Sequence, residues 1–325
     1  MNRCSRFVVA GVLAVTANAC DEPNFETEAE ITKLRTLVIT LEPPELGPGD
    51  IGQLSSLTVT PDERDLTYSW EVCLFDEGPD GSYACAVDSE TGEIAGITLS
   101  SSPRAELPYD VLVAAIGSIE ELCSSFDEFD LPDFIELPTC TRGIPLTARL
   151  TVTDDTGDEE ISVRDVFLLR ADAADGTQNQ NPEIIGLTLS QLVAGELTLA
   201  PTVLSLTSPP TLAIDLTNRI ELQALANTDV AELYQPLDED GEPDGEEVLE
   251  RMEISWFSTH GDFRRSQSYF DEMLAPGEEF QFNLLNLEKN TAALPGDTVT
   301  VHAVIRDNRG GASFVSGAFI VGAGE

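Results

Sequence analysis

Basic residues are scarce in this 325-residue chain: 17 Lys and Arg stand against 59 Asp and Glu, a formal net charge of -42. A surface this negative repels phosphate backbones and anionic lipid headgroups, which excludes nucleic acid as a partner and excludes a polybasic membrane contact. Histidine is nearly absent, with His260 and His302 alone, and aromatic residues make up 6%. There is no Gly-x-Ser-x-Gly elbow, no His-Glu-x-x-His, no Walker loop and no Gly-x-Gly-x-x-Gly after a strand. A Ser258, His260, Asp262 relay is sterically implausible, because near neighbours on one turn cannot form it. Nothing singles out a carboxylate pair for glycoside hydrolysis, so the sequence is expected to be non-enzymatic. The hydrophobic content of 42% is nevertheless that of a folded chain.

No long apolar run is present either. Arg3 and Arg6 precede the apolar stretch Phe7 to Val15 and then Thr16-Ala-Asn-Ala-Cys20, which reads as an export signal over residues 1–19. The stretch is far shorter than the roughly 20 residues of a membrane-spanning helix. Ala17-Asn18-Ala19 fits ordinary signal peptidase, whereas a small residue directly before Cys20 resembles a bacterial lipobox, in which the cysteine becomes a diacylated N-terminus. The second is preferred, with Cys20 as the lipidated residue and membrane contact made through it, although Ala17 stands where Leu is usual. Residues 20–33 then form an acidic, solvated tether.

Apart from Cys4 and Cys20, the cysteines are Cys73, Cys85, Cys123 and Cys140, all in the first half and with no Cys-x-x-Cys spacing. In an exported chain they read as two disulfides rather than a metal site.

Alternation of apolar and polar residues marks strands throughout. Leu146, Ala148, Leu150 and Val152 face one side, with Thr147, Arg149, Thr151 and Thr153 on the other. This strand passes through Asp154-Asp-Thr-Gly157 into Ile161–Leu169, a hairpin. The arrangement recurs at 298–321, with Asp307-Asn-Arg-Gly310 in the place of Asp154-Asp-Thr-Gly157. Leu66-Thr-Tyr-Ser-Trp70 matches Met252-Glu-Ile-Ser-Trp256, so the two Trp of the chain hold equivalent positions. The chain is therefore expected to hold two modules, 34–170 and 183–325, joined by a polar linker at 171–182. Trp70 and Asp154 are 84 positions apart and Trp256 and Asp307 are 51 apart, so the first repeat carries about 33 extra residues. Leu112, Ala115, Ile119, Leu122 and Phe126 recur there at helical spacing and predict a packed helix over 109–126.

The expected fold is all-β, two immunoglobulin-like β-sandwiches in tandem, the first with a disulfide-tied helical insert. In that topology the Trp strand lies antiparallel to the penultimate strand, which favours a Cys73–Cys140 bridge and leaves Cys85 with Cys123. The local alternative pairs Cys73 with Cys85 and Cys123 with Cys140.

Leu-Thr-Tyr-Ser-Trp70, the Thr153-Asp-Asp-Thr-Gly157 turn and the opening Thr36-Leu-Val-Ile-Thr-Leu-Glu-Pro-Pro44 resemble the PKD-like, cadherin-like and immunoglobulin-like repeats of bacterial surface proteins, over most of residues 34–325. The Gly-Asp-Gly turn of PKD repeats is absent. The whole chain also resembles acidic envelope lipoproteins of the myxobacterial type. This resemblance implies a cell-envelope protein that presents its modules for adhesion, scaffolding or spacing, with a surface protein or glycan as partner.

Asp238-Glu-Asp-Gly-Glu-Pro-Asp-Gly245 resembles a calcium turn, with Asp238, Asp240 and Asp244 as candidate ligands, though Pro243 stands where an EF-hand loop needs Gly. Asp154, Asp155, Asp158, Glu159 and Glu160 form a second acidic group, read as a hairpin end with like charges in water. A carbohydrate-binding or degrading accessory protein is the alternative. It would need exposed aromatics on one face, for which Tyr234, Phe263, Tyr269 and Phe270 are the crowded candidates. His302 is expected on the outward face of its strand.

Overall fold

The computed structural model describes residues 29–62, 64–86, 96–125, 140, 142–171, 178–194, 196–226, 231–236, 245–270 and 281–322. The export signal, Cys20, most of the tether, Phe126 and the calcium candidates Asp238, Asp240 and Asp244 lie outside them.

The first half contains β1 (Arg35–Glu42), β2 (Glu45–Leu46), β3 (Ile51–Val59), β4 (Leu66–Cys73), β5 (Gly96–Ser100), β6 (Arg104–Pro108), α1 (Tyr109–Ile116), α2 (Ile119–Ser125), β7 (Gly143–Asp154) and β8 (Glu159–Leu169). The second contains β9 (Ile184–Val193), β10 (Glu196–Val203), β11 (Thr211–Ala213), β12 (Ile220–Ala226), β13 (Leu233–Tyr234), β14 (Val248–Leu249), β15 (Met252–Ser258), β16 (Asp262–Phe263), β17 (Gln267–Phe270), β18 (Phe282–Asn286), β19 (Thr298–Asp307) and β20 (Ala312–Gly322).

These strands form sandwich-like layers. Sheet β1-β3-β6 faces sheet β2-β8-β7-β4-β5 across one apolar core, and sheet β10-β9-β12-β18-β16 faces sheet β11-β20-β19-β15-β17 across another. One five-stranded sheet is built twice, strand for strand. The short strands β2 and β11 run parallel to β8 and β20, whereas every other pairing in these two sheets is antiparallel. Registers agree as well: Leu66 lies opposite Asp154 and Trp70 opposite Leu150, just as Met252 lies opposite Asp307 and Trp256 opposite Ala303.

Both tryptophans are fully buried because each sits on the inward row of a strand whose neighbours alternate in the same phase. Leu146, Ala148, Leu150 and Val152 line one core and Val299, Val301, Ala303 and Ile305 the other. A buried indole also needs an acceptor. Trp70 Nε1 donates to the Ser102 carbonyl at 2.9 Å and Trp256 Nε1 to Ser268 Oγ at 3.0 Å.

The expected single helix is two. Gly117 adopts φ 86 and ends α1. Ser118 Oγ then accepts from Glu121 N at 3.0 Å, which starts α2. Ser118-Ile-Glu-Glu121 is a capping-box sequence inside the periodic stretch, so helical spacing persists across a break in the backbone. Leu112, Ile119 and Leu122 still pack on the first core, but Ala115 is exposed. Tyr109, at the start of α1, donates its hydroxyl to the Leu169 carbonyl at 2.8 Å.

The preferred Cys73–Cys140 and Cys85–Cys123 pairing is corrected to Cys73–Cys85 and Cys123–Cys140. β4 does run antiparallel to β7, but Cys73 lies opposite Thr147. Cys140 precedes Thr147 by seven residues and lies before β7 begins, so it is not the cross-strand neighbour of Cys73. Cys85 returns instead through a tight excursion in which Asp76 bridges Cys85, and Ala86 N donates to the Phe75 carbonyl at 2.9 Å.

Replacing Trp256 by Ala should cost about 3–5 kcal/mol, the range for large-to-small changes in a close-packed core. Denaturant unfolding measures it, and a loss below about 1 kcal/mol contradicts the burial.

Candidate functional site

The region that unites most of the unusual side chains is the junction of the two halves. β1 pairs with β3 along one edge only. Carbonyls on its other edge need donors, since buried backbone oxygens left unpaired are costly. Two arginines supply them. Arg164 of β8 donates from one terminal nitrogen to the Ile39 carbonyl at 2.8 Å and from the other to the Gly310 carbonyl at 2.6 Å. Arg306 of β19 donates to the Leu37 carbonyl at 2.7 Å and to Ser255 Oγ at 3.1 Å. One strand edge is thus held by an arginine from each half.

Burial pulls Arg164 down to about 10 and lowers Arg306 as well, so both remain cations at neutral pH. Among the described residues neither guanidinium has a carboxylate at salt-bridge distance. Asp307 and Asp165 act on Arg164 through their fields, and Glu253 acts on Arg306.

Apolar contacts and a polar strap complete the junction. Ile31, Leu37, Val38, Phe257, Val304 and Ala312 form a buried cluster of their own, and Arg35 lies 5.5 Å over the Phe257 ring. Asn181 Nδ2 donates to the Leu41 carbonyl at 2.7 Å, while its Oδ1 accepts from Ala312 N at 2.8 Å. Asn179 N donates to Glu45 Oε2 at 3.1 Å and its Nδ2 to Asp307 Oδ2 at 3.1 Å. Residues 178–182, expected as part of a polar linker, therefore stitch the halves together. Residues 29–31, expected in a solvated tether, are likewise packed. Ile31 N donates to the Ser258 carbonyl and Ser258 N to the Ala29 carbonyl, each at 2.9 Å, which extends the β15 edge beyond the reach of β17. An open groove of about 510 Å³ runs beside β1, with Thr36–Ile39, Ile161–Asp165 and the Arg306–Ala312 turn as its walls.

His302 is a correction. It is 5% exposed, and its Nδ1 lies 2.7 Å from Ser316 Oγ. Alternation did place it opposite the Val301 and Ala303 row. That outer face is itself covered, since Val304 beside it packs against Ile31 and Leu37. Burial lowers the His302 pKa to about 4.

In the acidic hairpin group Asp155, Asp158 and Glu159 are exposed, as expected of a hairpin end, and Asp154 departs from expectation. Asp154 is shielded from solvent and meets Arg64 at 2.7 Å. Its Oδ1 accepts from Thr156 N at 2.9 Å and Asp158 N at 3.0 Å. Asp307 repeats the device, with Oδ1 accepting from Arg309 N at 2.7 Å and Gly311 N at 2.8 Å. These carboxylates close turns. The repeated Asp-Gly spacing was the signal in the sequence, and its meaning is local hydrogen bonding. Among the described residues no group of three or more His, Cys, Asp or Glu is placed to hold a metal ion.

Of the four aromatic candidates, one is not on the surface. Phe263 is in the core, 6.0 Å from Trp256 between ring centroids. Tyr234 lies under Arg309 at 4.9 Å and accepts from Asn308 Nδ2 at 2.9 Å. Tyr269 is exposed, and the Phe270 side chain is outside the described residues. Nor do Ser258, His260 and Asp262 meet. Ser258 Oγ donates to the His260 carbonyl at 2.8 Å, His260 Nδ1 lies 3.0 Å from Thr259 Oγ1, and Asp262 pairs with Lys289 at 3.8 Å.

No family model matches the chain, and no curated protein matches it. Among solved structures it is similar to dimeric latent PorU from Porphyromonas gingivalis, at 10% identity and a TM-score of 0.22, with 91% of this chain and 24% of that chain covered. It is also similar to cadherin domains 3–6 of protocadherin gamma B2, at 12% identity and a TM-score of 0.16, with 90% and 46% covered. The chain thus spans about a quarter to about a half of these structures' length. At such TM-scores they assign it neither fold nor activity.

Replacing Arg306 by Ala removes both donors to β1 and Ser255 and should cost on the order of 3 kcal/mol. Amide exchange should quicken at residues 29–39 while the Trp256 core stays protected. Unchanged exchange there would contradict the clamp. For His302, the unfolded chain takes up a proton that the buried ring refuses. Its contribution to stability is therefore complete above about 6.5 and is lost as pH falls toward about 4. His302→Gln should flatten the stability curve in that window, as read by denaturant midpoints at several pH values.

Proposed function

We propose that this chain is a non-enzymatic cell-envelope lipoprotein in which two immunoglobulin-like modules, residues 34–170 and 183–325, act as one rigid unit for adhesion, scaffolding or spacing. The observation that carries this reading is the junction. A repeated five-stranded sheet would give two independently tumbling beads if joined by a free linker, but here Arg164, Arg306, Asn179 and Asn181 all cross between the halves. A spacer or scaffold requires that the distance it sets be fixed, and cross-linked modules fix it.

The two disulfides belong to a chain folded in an oxidising compartment outside the cytosol. Among the described residues no helix is long and apolar enough to cross a membrane. An acyl group on Cys20, preceded by Arg3, Arg6 and the apolar run, is the anchor that this reading invokes. In this reading the anchor is followed by the acidic tether expected at residues 20–33.

The anchor is tested by growing the host with an alkynyl palmitate analogue and comparing the native chain with Cys20→Ser. Incorporation in the native protein, with loss of label and release from membranes in the variant, is the expected result. Absence of label in the native chain would make it a secreted protein and remove the anchor from the account.

A further inference from the structure

The outer face of sheet β10-β9-β12-β18-β16 is unlike the rest of this acidic chain. From Ile184 to Ile214 there is a single charged residue, Glu196, in a protein with 59 acidic side chains. Four apolar side chains of β9 and β10 are exposed there, Ile185 by 61%, Leu192 by 43%, Leu197 by 55% and Val203 by 64%, beside the outward Thr188 and Ser190. Register sets Leu197 opposite Leu192 and lines up Val203, Thr188, Gln223 and Phe282 in one row across four strands. Farther along the same face an open groove of about 460 Å³ is bordered by Glu221, Phe282, Leu284, Arg264 and Arg265. Both arginine side chains are exposed, and among the described residues neither is in an ion pair.

β10 is an edge strand, yet it is poorly made for extension by another strand. Its register with β9 breaks between Leu199 and Thr202, around Pro201, which has no N–H to donate. The edge is protected while the face is not, so an occupant would pack on the side chains.

We propose that this face is where two copies of the chain meet, sheet against sheet. Charge selects the surface. Two copies at -42 each repel one another wherever carboxylates face carboxylates. The opposition is least across a strip with one charge in 31 residues, and Arg264 and Arg265 on the same face offer exposed cations to the Glu196 and Glu221 of a second copy. A two-fold contact sets the strip against itself, and apolar side chains of stacked sheets interdigitate at a spacing of about 10 Å.

The unacylated Cys20→Ser protein is examined by sedimentation velocity from about 50 mM to about 500 mM NaCl, because screening shortens the range of the repulsion. A dimer is expected whose Kd falls by about tenfold or more as salt rises. Leu192→Glu with Leu197→Glu, both exposed, should abolish it at unchanged melting temperature. Leu294→Glu, at an exposed leucine in the loop between β18 and β19, should leave it intact. A monomer at every salt concentration, or a dimer that survives the double substitution, overturns the proposal. A monomer that instead floats with neutral phosphatidylcholine vesicles, and loses this with the same two substitutions, overturns it too and gives the face to lipid.

Discussion

The free edge of β1 is the constraint on which the rest depends. A strand paired on one side only carries a row of carbonyls that cannot be buried without donors. Here the donors are guanidinium groups from β8 and β19, which reach Ile39 and Leu37 from opposite sides of the junction. Burying a cation without a contacting carboxylate is costly. Each arginine meets that cost by satisfying two acceptors at once, and its planar fork suits two acceptors on separate segments better than an ammonium would. β1 thereby belongs to the first sandwich through β3 and to the second through Arg306. The remaining contacts follow from it: Phe257 and Val304 close over Leu37 and Val38, and residues 29–31 are drawn along the end of β15.

The two aspartate turns show the same economy on a smaller scale. Asp154 and Asp307 each use one oxygen to take backbone N–H groups two and four residues ahead. The second oxygen is turned outward to a partner that differs between repeats, Arg64 for Asp154 and Asn179 for Asp307. In the first repeat the spare oxygen secures the approach to β4. In the second it secures the connection between the halves. Hydrogen bonds and the Arg64 partner hold the Asp154 carboxyl well below its ordinary range, against the opposing effect of desolvation. Asp154 therefore stabilises the fold above the unfolded carboxylate pKa and loses that contribution only as acid protonates the folded group.

Much of the fold was legible in the sequence because period-two alternation reports the facing of a strand directly. Leu146 to Val152 and Val299 to Ile305 lie inward as their spacing requires, and the repeat of Trp and Asp-Gly positions survives as identical registers. What alternation cannot report is what covers the second face. His302 was placed correctly by phase and wrongly by environment, since it is buried on that face between its cross-strand neighbours Phe257 and Ser316. The helix break at Gly117 was written in Ser118 and Glu121 but masked by continuous apolar spacing. The disulfide pairing turned on where β7 begins relative to Cys140, a boundary that residue pattern leaves loose by several positions. The arginine clamp had no sequence signal, because a cation that binds backbone carbonyls needs no acidic residue at a fixed spacing.

The central claim is that the two repeats are one body, held through β1. Small-angle X-ray scattering on the monomeric Leu192→Glu, Leu197→Glu protein tests it most directly. The account predicts a profile fitted by a single arrangement of the described residues and unchanged between low and high salt, because the clamp is buried. A profile that requires an ensemble of orientations for the two repeats, with a maximum dimension that grows at low salt as the acidic halves repel, would contradict it.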